Sequence, residues 1–125
     1  MYEYKCEVTR VVDGDTIDCV LDLGFSILHK CRVRLYGIDT PESRTRDLDE
    51  KARGKLASKF LQESIDDGNE IVLRSELKDS KGKYGRVLGK IHIDVLDGAE
   101  GLTQIWLNDQ LVKEGHAVEY YGGKR

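Results

Sequence analysis

Apolar and polar residues alternate along several segments of the chain, with the two-residue period that is typical of β-strands. Turn-forming residues separate the first of these segments, with Asp13-Gly14 after one and Gly24 after the next. The pattern predicts strands over residues 4–12, 16–21, 28–38, 70–73 and 87–95, with a further extended segment over 117–121.

The period changes after Pro41, the only proline of the chain. Apolar residues then recur at a spacing of three to four, at Leu48, Ala52, Leu56, Phe60, Leu61 and Ile65. This spacing predicts an amphipathic helix over about 49–66 that is closed by Gly68. A second, short helix is predicted over about 107–114, with Leu111 and Val112 facing inward and Gly115 at its end.

Strands, a helix and more strands within 125 residues predict a single domain, residues 1–125, of the α+β class with mainly β-structure. The order matches a five-stranded OB-fold barrel that has one helix between its third and fourth strands. The second short helix follows near the C-terminus.

Composition narrows the class of protein. Hydrophobic residues make up 39% and charged residues 34%, which is enough apolar material for one core and excludes a disordered chain. No apolar run reaches the ~18 residues that span a membrane. The first residues lack the pattern of a secretory signal, so we expect an intracellular protein, in the cytoplasm.

Cysteine usage and net charge exclude further classes. An odd number of cysteines without a CxxC pair, namely Cys6, Cys19 and Cys31, argues against a disulfide scaffold and a zinc ribbon. A net charge of -3 means that the whole-molecule field does not indicate a nucleic-acid partner. Nucleic-acid binding therefore requires a local patch.

The segment Val12-Asp13-Gly14-Asp15-Thr16 has two interpretations. Asp-Gly between two strands is most often a plain turn, because Gly accepts a positive φ and Asp bonds its own backbone. Asp15, however, begins a strand, where Asp is unfavourable. A carboxylate at that position suggests a functional role.

The segment Arg34-Leu35-Tyr36-Gly37-Ile38-Asp39-Thr40-Pro41-Glu42 ends a strand with two acids around a proline. An ordinary acidic exit from a strand is one interpretation. Pro41 nevertheless holds Thr40 extended, so the Thr40 carbonyl has a fixed direction. Arg34 has the opposite strand parity to Val33 and Leu35, so it lies either on a solvent face or in a cleft.

The segment Ser80-Lys81-Gly82-Lys83-Tyr84-Gly85-Arg86 combines basic residues, one tyrosine and glycines. Such a run is usually a solvated turn. It also has the properties of a loop that holds phosphate, with Lys as a point charge, Tyr as a stacking surface and Arg as a bidentate donor.

These three segments in this order resemble the staphylococcal (micrococcal) nuclease family, over nearly the whole chain. The resemblance also includes the helix after Thr40-Pro41-Glu42 and the segment 108–117. It implies an OB-fold barrel and a Ca²⁺-dependent phosphodiesterase that acts on DNA and RNA and leaves 3′-phosphate ends.

The resemblance also implies roles for individual residues. Asp15 and Asp39 match the carboxylates that bind one Ca²⁺, and Thr40 matches the residue that offers its carbonyl. Glu42 matches the carboxylate that orients or deprotonates the attacking water. The remaining matches are Arg34 and Arg86 at the phosphate, Lys83 and Tyr84 at the terminal phosphate, and Tyr121 beside the base.

Two other classes of function stay open on the sequence alone. One is a catalytically silent OB-fold module that binds nucleic acid or protein, and the other is a plain structural domain. The joint presence of two acids, two arginines and Glu42 at matching positions favours the enzyme, and a structural domain leaves Asp15 and Arg34 unexplained.

Three departures from better-known members of that family are visible. The hairpin with Leu23-Gly24-Phe25 is longer and is expected to extend past the barrel, and an insertion over 97–103 lengthens a turn. The chain ends at Arg125, where those members continue into a third helix. Exposed barrel surface would result, which either a second copy of the chain or the extended hairpin would cover, so a homodimer is a hypothesis.

Overall fold

The structure is a computed structural model, and it describes residues 2–67, 70–76, 87–97 and 101–121. Its strands are β1 (Glu3–Asp13), β2 (Thr16–Asp22), β3 (Leu28–Leu35), β4 (Ile38–Asp39), β5 (Glu70–Ser75), β6 (Val87–Asp97), β7 (Gly101–Trp106) and β8 (Val118–Glu119). Its helices are α1 (Leu48–Asp67) and α2 (Leu107–Lys113).

Five strands of the described chain form a closed barrel. Strand β1 pairs antiparallel with β2 and β5, while β2 pairs with β3 and β5 with β6. A parallel pairing of β3 with β6, from Val33↔Val87 to Leu35↔Gly89, closes the ring. Helix α1 lies between the third and fourth barrel strands in chain order, so the predicted OB-fold is confirmed.

The barrel interior is built from the apolar residues that alternate along the strands. The fully buried side chains include Ile17, Val33, Leu35, Leu73 and Ile91 from the strands, and Leu61, Leu107 and Leu111 from the helices. Both helices thus contribute to the same core, which agrees with the predicted α+β class.

Helix α1 buries only the C-terminal part of its predicted apolar face, at Leu61 and Ile65. Its buried residues are Gly54, Ala57, Leu61 and Ile65, whereas Ala52 is exposed and Phe60 only half-buried. Leu48 is 78% and Leu56 is 56% exposed. The N-terminal half of α1 packs on loop backbone, where only small residues fit, and its C-terminal half packs on the barrel core.

Two strand predictions need correction. The predicted strand over 28–38 ends at Leu35, because Gly37 has a φ of 82° and turns the chain. The residues after that turn, Ile38–Asp39, form the separate strand β4, which pairs with β8. Within the predicted extended segment 117–121, only Val118–Glu119 form a strand, β8.

The insertion predicted as a lengthened turn contains a strand. Strand β7 pairs with β6 from Asp97↔Gly101 to His92↔Trp106, outside the closed ring. Alternation in this short segment is weak, so its strand depends on pairing with β6 rather than on local pattern. Residues 98–100 of this insertion and the predicted helix terminator Gly68 lie outside the described residues.

The β2–β3 hairpin carries an exposed apolar tip. Leu23, Ile27 and Leu28 are exposed, and Phe25 is 98% exposed. Phe25 and Ser26 have positive φ values of 54° and 63°. Among the described residues, neither helix is long and apolar enough to cross a membrane.

Candidate active site

Strand pairing brings together the two acidic motifs, which are the segments 12–16 and 34–42. Asp15 immediately precedes β2, and Arg34 near the end of β3 is the register partner of Thr16. Because β2 and β3 are antiparallel, the start of one strand lies beside the end of the other. The chain then turns at Gly37 and returns with Asp39 in β4.

Arg34 lies between the two aspartates. Its Nη2 is 3.5 Å from Asp15 Oδ2 and 3.4 Å from Asp39 Oδ1. Its Nη1 donates a 2.8 Å hydrogen bond to the Leu35 carbonyl, and the side chain is only 17% exposed. The sequence left open a solvent face or a cleft, and the structure shows the cleft.

The Asp15 carboxylate is held by hydrogen bonds on both oxygens. Oδ1 accepts a 3.0 Å bond from the Thr16 hydroxyl, and Oδ2 accepts a 3.1 Å bond from the Thr40 backbone N–H. The residue is 8% exposed, so an unpaired carboxylate would be costly there. The Asp15 carboxylate is therefore held in place by hydrogen bonds from its own segment, through Thr16, and from the segment 34–42, through Thr40.

One small cavity of about 200 Å³ lies at this junction. Five of the predicted site residues line it, namely Asp15, Arg34, Asp39, Thr40 and Glu42, together with Asp13, Thr16 and Pro41. Glu42 is an exposed residue of the loop before α1. The cavity thus combines carboxylates, one guanidinium and a nearby exposed glutamate.

A protein-family model matches most of this chain. Residues 32–125 match the family model described as staphylococcal nuclease homologue. This chain belongs to that family. The resemblance drawn from the three segments is confirmed, and the match includes Arg34, Asp39, Thr40 and Glu42 of the cavity.

Three relatives of this staphylococcal nuclease homologue carry the names of nucleases. The chain is 36% identical to Endonuclease YhcR of Bacillus subtilis over 126 residues, which is 95% of this chain and 9% of that protein. It is 33% identical to Micrococcal nuclease of Shigella flexneri over 123 residues, covering 96% of this chain and 62% of the relative. It is 34% identical to Thermonuclease of Staphylococcus intermedius over 115 residues, covering 88% and 56%. The chain therefore spans less than two thirds of these relatives.

Tyr121 lies in a different cavity, of about 230 Å³, lined also by Tyr36, Gly37 and Lys90. Its ring meets Tyr36 edge-on, with centroids 5.6 Å apart, and its hydroxyl donates to Glu119 at 3.4 Å. The residue is 64% exposed. Strand β4 joins the two cavities, since Ile38 lines one of them and Asp39 the other.

The predicted phosphate-contacting residues Lys83, Tyr84 and Arg86 lie outside the described residues. The described segments on either side of these residues, 70–76 and 87–97, meet where the Glu76 N–H donates a 2.9 Å hydrogen bond to the Leu88 carbonyl. Leu88 is also the register partner of Arg34.

Asp13 and Gly14 have roles that the sequence analysis missed. Asp13 lines the cavity and accepts a 2.6 Å hydrogen bond from the Ser43 hydroxyl. Gly14 and Asp15 form the two-residue turn between β1 and β2, as predicted, but Gly14 does not have the positive φ that was the reason given for it. A Cβ there would lie 2.7 Å from Ala57 Cβ, so Gly14 allows α1 to approach. The presence of two acids in Asp13-Gly14-Asp15 was the sequence signal that could have identified Asp13 as a cavity residue.

The donors at the cavity suit a hard cation. Asp15 and Asp39 each lie within 3.5 Å of the same guanidinium nitrogen, so their oxygens face a common point, and the other donors nearby are oxygens too. The described residues contain no cluster of three or more His, Cys, Asp or Glu side chains arranged to hold a metal. Ca²⁺ takes carboxylate, carbonyl and water oxygens, so Asp15, Asp39 and the Thr40 carbonyl are ligands of the type that it prefers.

Proposed function

We propose that this staphylococcal nuclease homologue is a Ca²⁺-dependent nuclease that hydrolyses phosphodiester bonds of DNA, RNA or both. The observation that carries the proposal is Arg34 between Asp15 and Asp39, at distances of 3.5 and 3.4 Å, in a cavity that Glu42 also lines. The relatives named endonuclease, micrococcal nuclease and thermonuclease support the same class of reaction.

Asp15, Asp39 and the carbonyl of Thr40 are the residues that would hold one Ca²⁺. When bound, the ion would supply Lewis-acid polarisation of a phosphate oxygen. The hydrogen bonds on both oxygens of Asp15 support this assignment, because they orient the carboxylate before any ion arrives.

Arg34 has a chemical role that does not depend on the ion. Attack on phosphorus adds negative charge to the phosphate oxygens in the transition state, and a guanidinium offers two parallel N–H donors to them. Arg34 is held close to the cavity by its bond to the Leu35 carbonyl. Arg86 is the second arginine of this proposal, with Lys83 and Tyr84 at the terminal phosphate and Tyr121 beside the base.

Glu42 would orient, and accept a proton from, the attacking water. The water oxygen bonds to phosphorus, the P–O5′ bond breaks, and the leaving oxygen takes a proton to become a 5′-hydroxyl. The other product end is then a 3′-phosphate. Because Glu42 is exposed, it has direct access to water, which this role requires.

Cleavage of single-stranded DNA and of RNA tests the proposal, with Ca²⁺, Mg²⁺ or EGTA, and with a Glu42→Gln variant beside the wild type. We expect calcium-dependent cleavage that the variant loses by at least about 100-fold. End-group analysis should find 3′-phosphate. Nucleic acid that is bound but not cleaved under any metal would instead assign the chain as a binding module.

A further inference from the structure

Glu42 depends on its backbone for orientation. Within the described ranges, no hydrogen bond or ion pair is formed by its carboxylate, and the residue is exposed. We infer that Glu50 of α1 is a positioning residue for Glu42, acting through the Glu42 backbone N–H. The inference rests on the proposed role of Glu42 in hydrolysis.

Glu50 forms an unusual contact for its place in a helix. Asp47 caps α1, because its Oδ1 accepts the N–H groups of Asp49 at 3.0 Å and Glu50 at 3.2 Å. A glutamate three residues after the cap commonly bonds back to the N–H of the cap residue. Here the Asp47 N–H bonds Thr45 Oγ1 at 3.2 Å instead. Glu50 Oε2 accepts the N–H of Glu42 at 3.1 Å.

Gly54 contacts the same loop one helical turn later. A Cβ on Gly54 would lie 2.6 Å from the Glu42 carbonyl carbon and 2.7 Å from the carbonyl oxygens of Pro41 and Glu42. No side chain fits at that separation, so the backbone of α1 lies directly against the loop. Helix α1 therefore fixes Glu42 at its N–H through Glu50 and at its carbonyl through Gly54.

The next residue of the loop is held from the opposite side. Ser43 Oγ donates a 2.6 Å hydrogen bond to Asp13 Oδ1, which joins the loop to the β1–β2 turn. Glu42 thus lies between a contact to α1 and a contact to the barrel. This arrangement restricts the backbone of a residue whose side chain is otherwise free to face the cavity.

A purely structural role for Glu50 is the competing explanation. An acid in the first turn stabilises a helix by about 0.3–1 kcal/mol through the macrodipole. Asp49 occupies the same turn, and its backbone N–H is capped in the same way. The described structure gives Asp49 no contact with Glu42, so Asp49→Ala is the matched control.

Kinetics separate the two explanations. Glu50→Ala should lower kcat about 10- to 100-fold with KM within about twofold, because a small displacement of a reacting group has effects of that size. Asp49→Ala should stay within about twofold of wild type. Glu50→Gln keeps an acceptor oxygen and should recover most of the activity. Equal kcat values for the Glu50→Ala and Asp49→Ala variants would overturn the inference.

A double-mutant cycle tests whether the effect passes through Glu42. In a Glu42→Gln background, Glu50→Ala should cause no further loss of kcat, since the group that it positions is already absent. In an Asp49→Ala background the full loss should remain. An unreduced loss in the Glu42→Gln background would also overturn the inference.

The contact itself is measured without activity and without metal. The Glu42 amide signal in a ¹H–¹⁵N spectrum should shift upfield in ¹H and exchange faster in Glu50→Ala, with little change in Glu50→Gln and Asp49→Ala. Gly54→Ala should also shift the Glu42 amide signal, because it disturbs the contact at the Glu42 carbonyl. An inactive wild type with these shifts would refute the proposed function alone. An active wild type without them would refute the positioning role alone.

Discussion

The backbone N–H of Thr40 donates a 3.1 Å hydrogen bond to Asp15 Oδ2, across 25 positions of the chain. The bond joins the first acidic motif to the second, and both belong to the proposed calcium site. It also directs one carboxylate oxygen of Asp15 toward the backbone that carries the Thr40 carbonyl. The two motifs are therefore one structural unit before any ion binds.

Arg34 should have opposite effects on ion binding and on turnover. Arg34→Gln removes a positive charge within 3.5 Å of both aspartates, so Ca²⁺ affinity without substrate should rise, by about threefold or more. Turnover should fall about 100- to 1,000-fold, because the phosphate loses its guanidinium.

Calorimetric titration and single-turnover cleavage measure these two effects. Arg32→Gln is the matched control, because Arg32 bonds Asp18 at 2.7 Å on the exposed side and lines no part of the Asp15–Asp39 cavity. Turnover equal to that of wild type would contradict the phosphate role of Arg34, and weaker ion binding would contradict the electrostatic argument.

Gly37→Ala should disturb Tyr121 as well as the backbone. Gly37 has a φ of 82°, and a Cβ there would lie 2.9 Å from Tyr121 Cε1. Gly24 has a φ of 86° with nothing within 4 Å of its Cβ, so Gly24→Ala carries the backbone strain alone.

Both glycine variants should lose about 1–2 kcal/mol of unfolding free energy from strain. Only Gly37→Ala should also raise KM for nucleic acid, if Tyr121 stacks on the base. Urea denaturation and steady-state kinetics measure the two quantities. Equal KM values for the two variants would argue against substrate contact by Tyr121.

Asn108 should be the most sensitive polar residue of the core. It is fully buried, and its Oδ1 accepts the Ile91 N–H at 3.1 Å. Its Nδ2 donates to the Tyr36 carbonyl at 2.8 Å and to the Gly89 carbonyl at 3.4 Å. Asn108→Ala leaves these backbone groups without that partner and should lower the unfolding free energy by about 2–4 kcal/mol.

Gln110→Ala is the control for the Asn108 prediction. Gln110 lies on the same helix and bonds only Glu114, at 3.4 Å, among the described contacts of its side chain. It should change the unfolding free energy by less than about 0.5 kcal/mol. Similar losses in the two variants would show that α2 fails for a reason other than the buried bonds.

The cysteines should make stability fall at alkaline pH. Burial and the nearby Cys19 raise the pKa of Cys31 from 9.0 to about 12, and the two sulfurs are 3.9 Å apart. The pKa of Cys19 is raised too, by its hydrogen bond with Cys6 and by burial. A raised thiol pKa means that the folded state keeps a proton that the unfolded state loses.

Stability from these thiols is complete below about pH 9 and declines as the pH rises toward 12. Urea titrations at pH 8 and 10.5 should show the decline, and Cys31→Ser should reduce it. Alkylation at pH 8 should be slow in the folded protein and fast in urea, because the thiolate is the reactive form. Rapid alkylation of the folded protein would contradict the pKa direction.

The homodimer stays a prediction, and the exposed hairpin tip is the surface on which to test it. Phe25, at 98% exposure, is the most exposed large apolar residue of the described chain. Sedimentation at high concentration should detect dimers that Phe25→Ser weakens. A single monomeric species in the wild type would refute the prediction.

The local sequence pattern predicted the positions of helices and strands better than it predicted which of their residues are buried. The helix was predicted over about 49–66 and is found at Leu48–Asp67, yet Leu48 and Leu56 are exposed. Helical periodicity identifies apolar positions, but it does not show that part of the helix packs against loop backbone at Gly54. Likewise, β7 exists through its pairing with β6, a non-local contact.

The class of fold, the family and five residues that share one cavity could be predicted from the sequence, because charged residues in fixed local motifs are visible there. How these five residues meet depends on long-range pairing of the chain. The register of β2 and β3 brings Asp15 beside Arg34, and the turn at Gly37 returns Asp39 to the same point. Contacts over such separations depend on chain pairing and packing, which no local pattern contains. For that reason Glu50, which looks like an ordinary helix-start acid, is identified as a partner of Glu42 only in three dimensions.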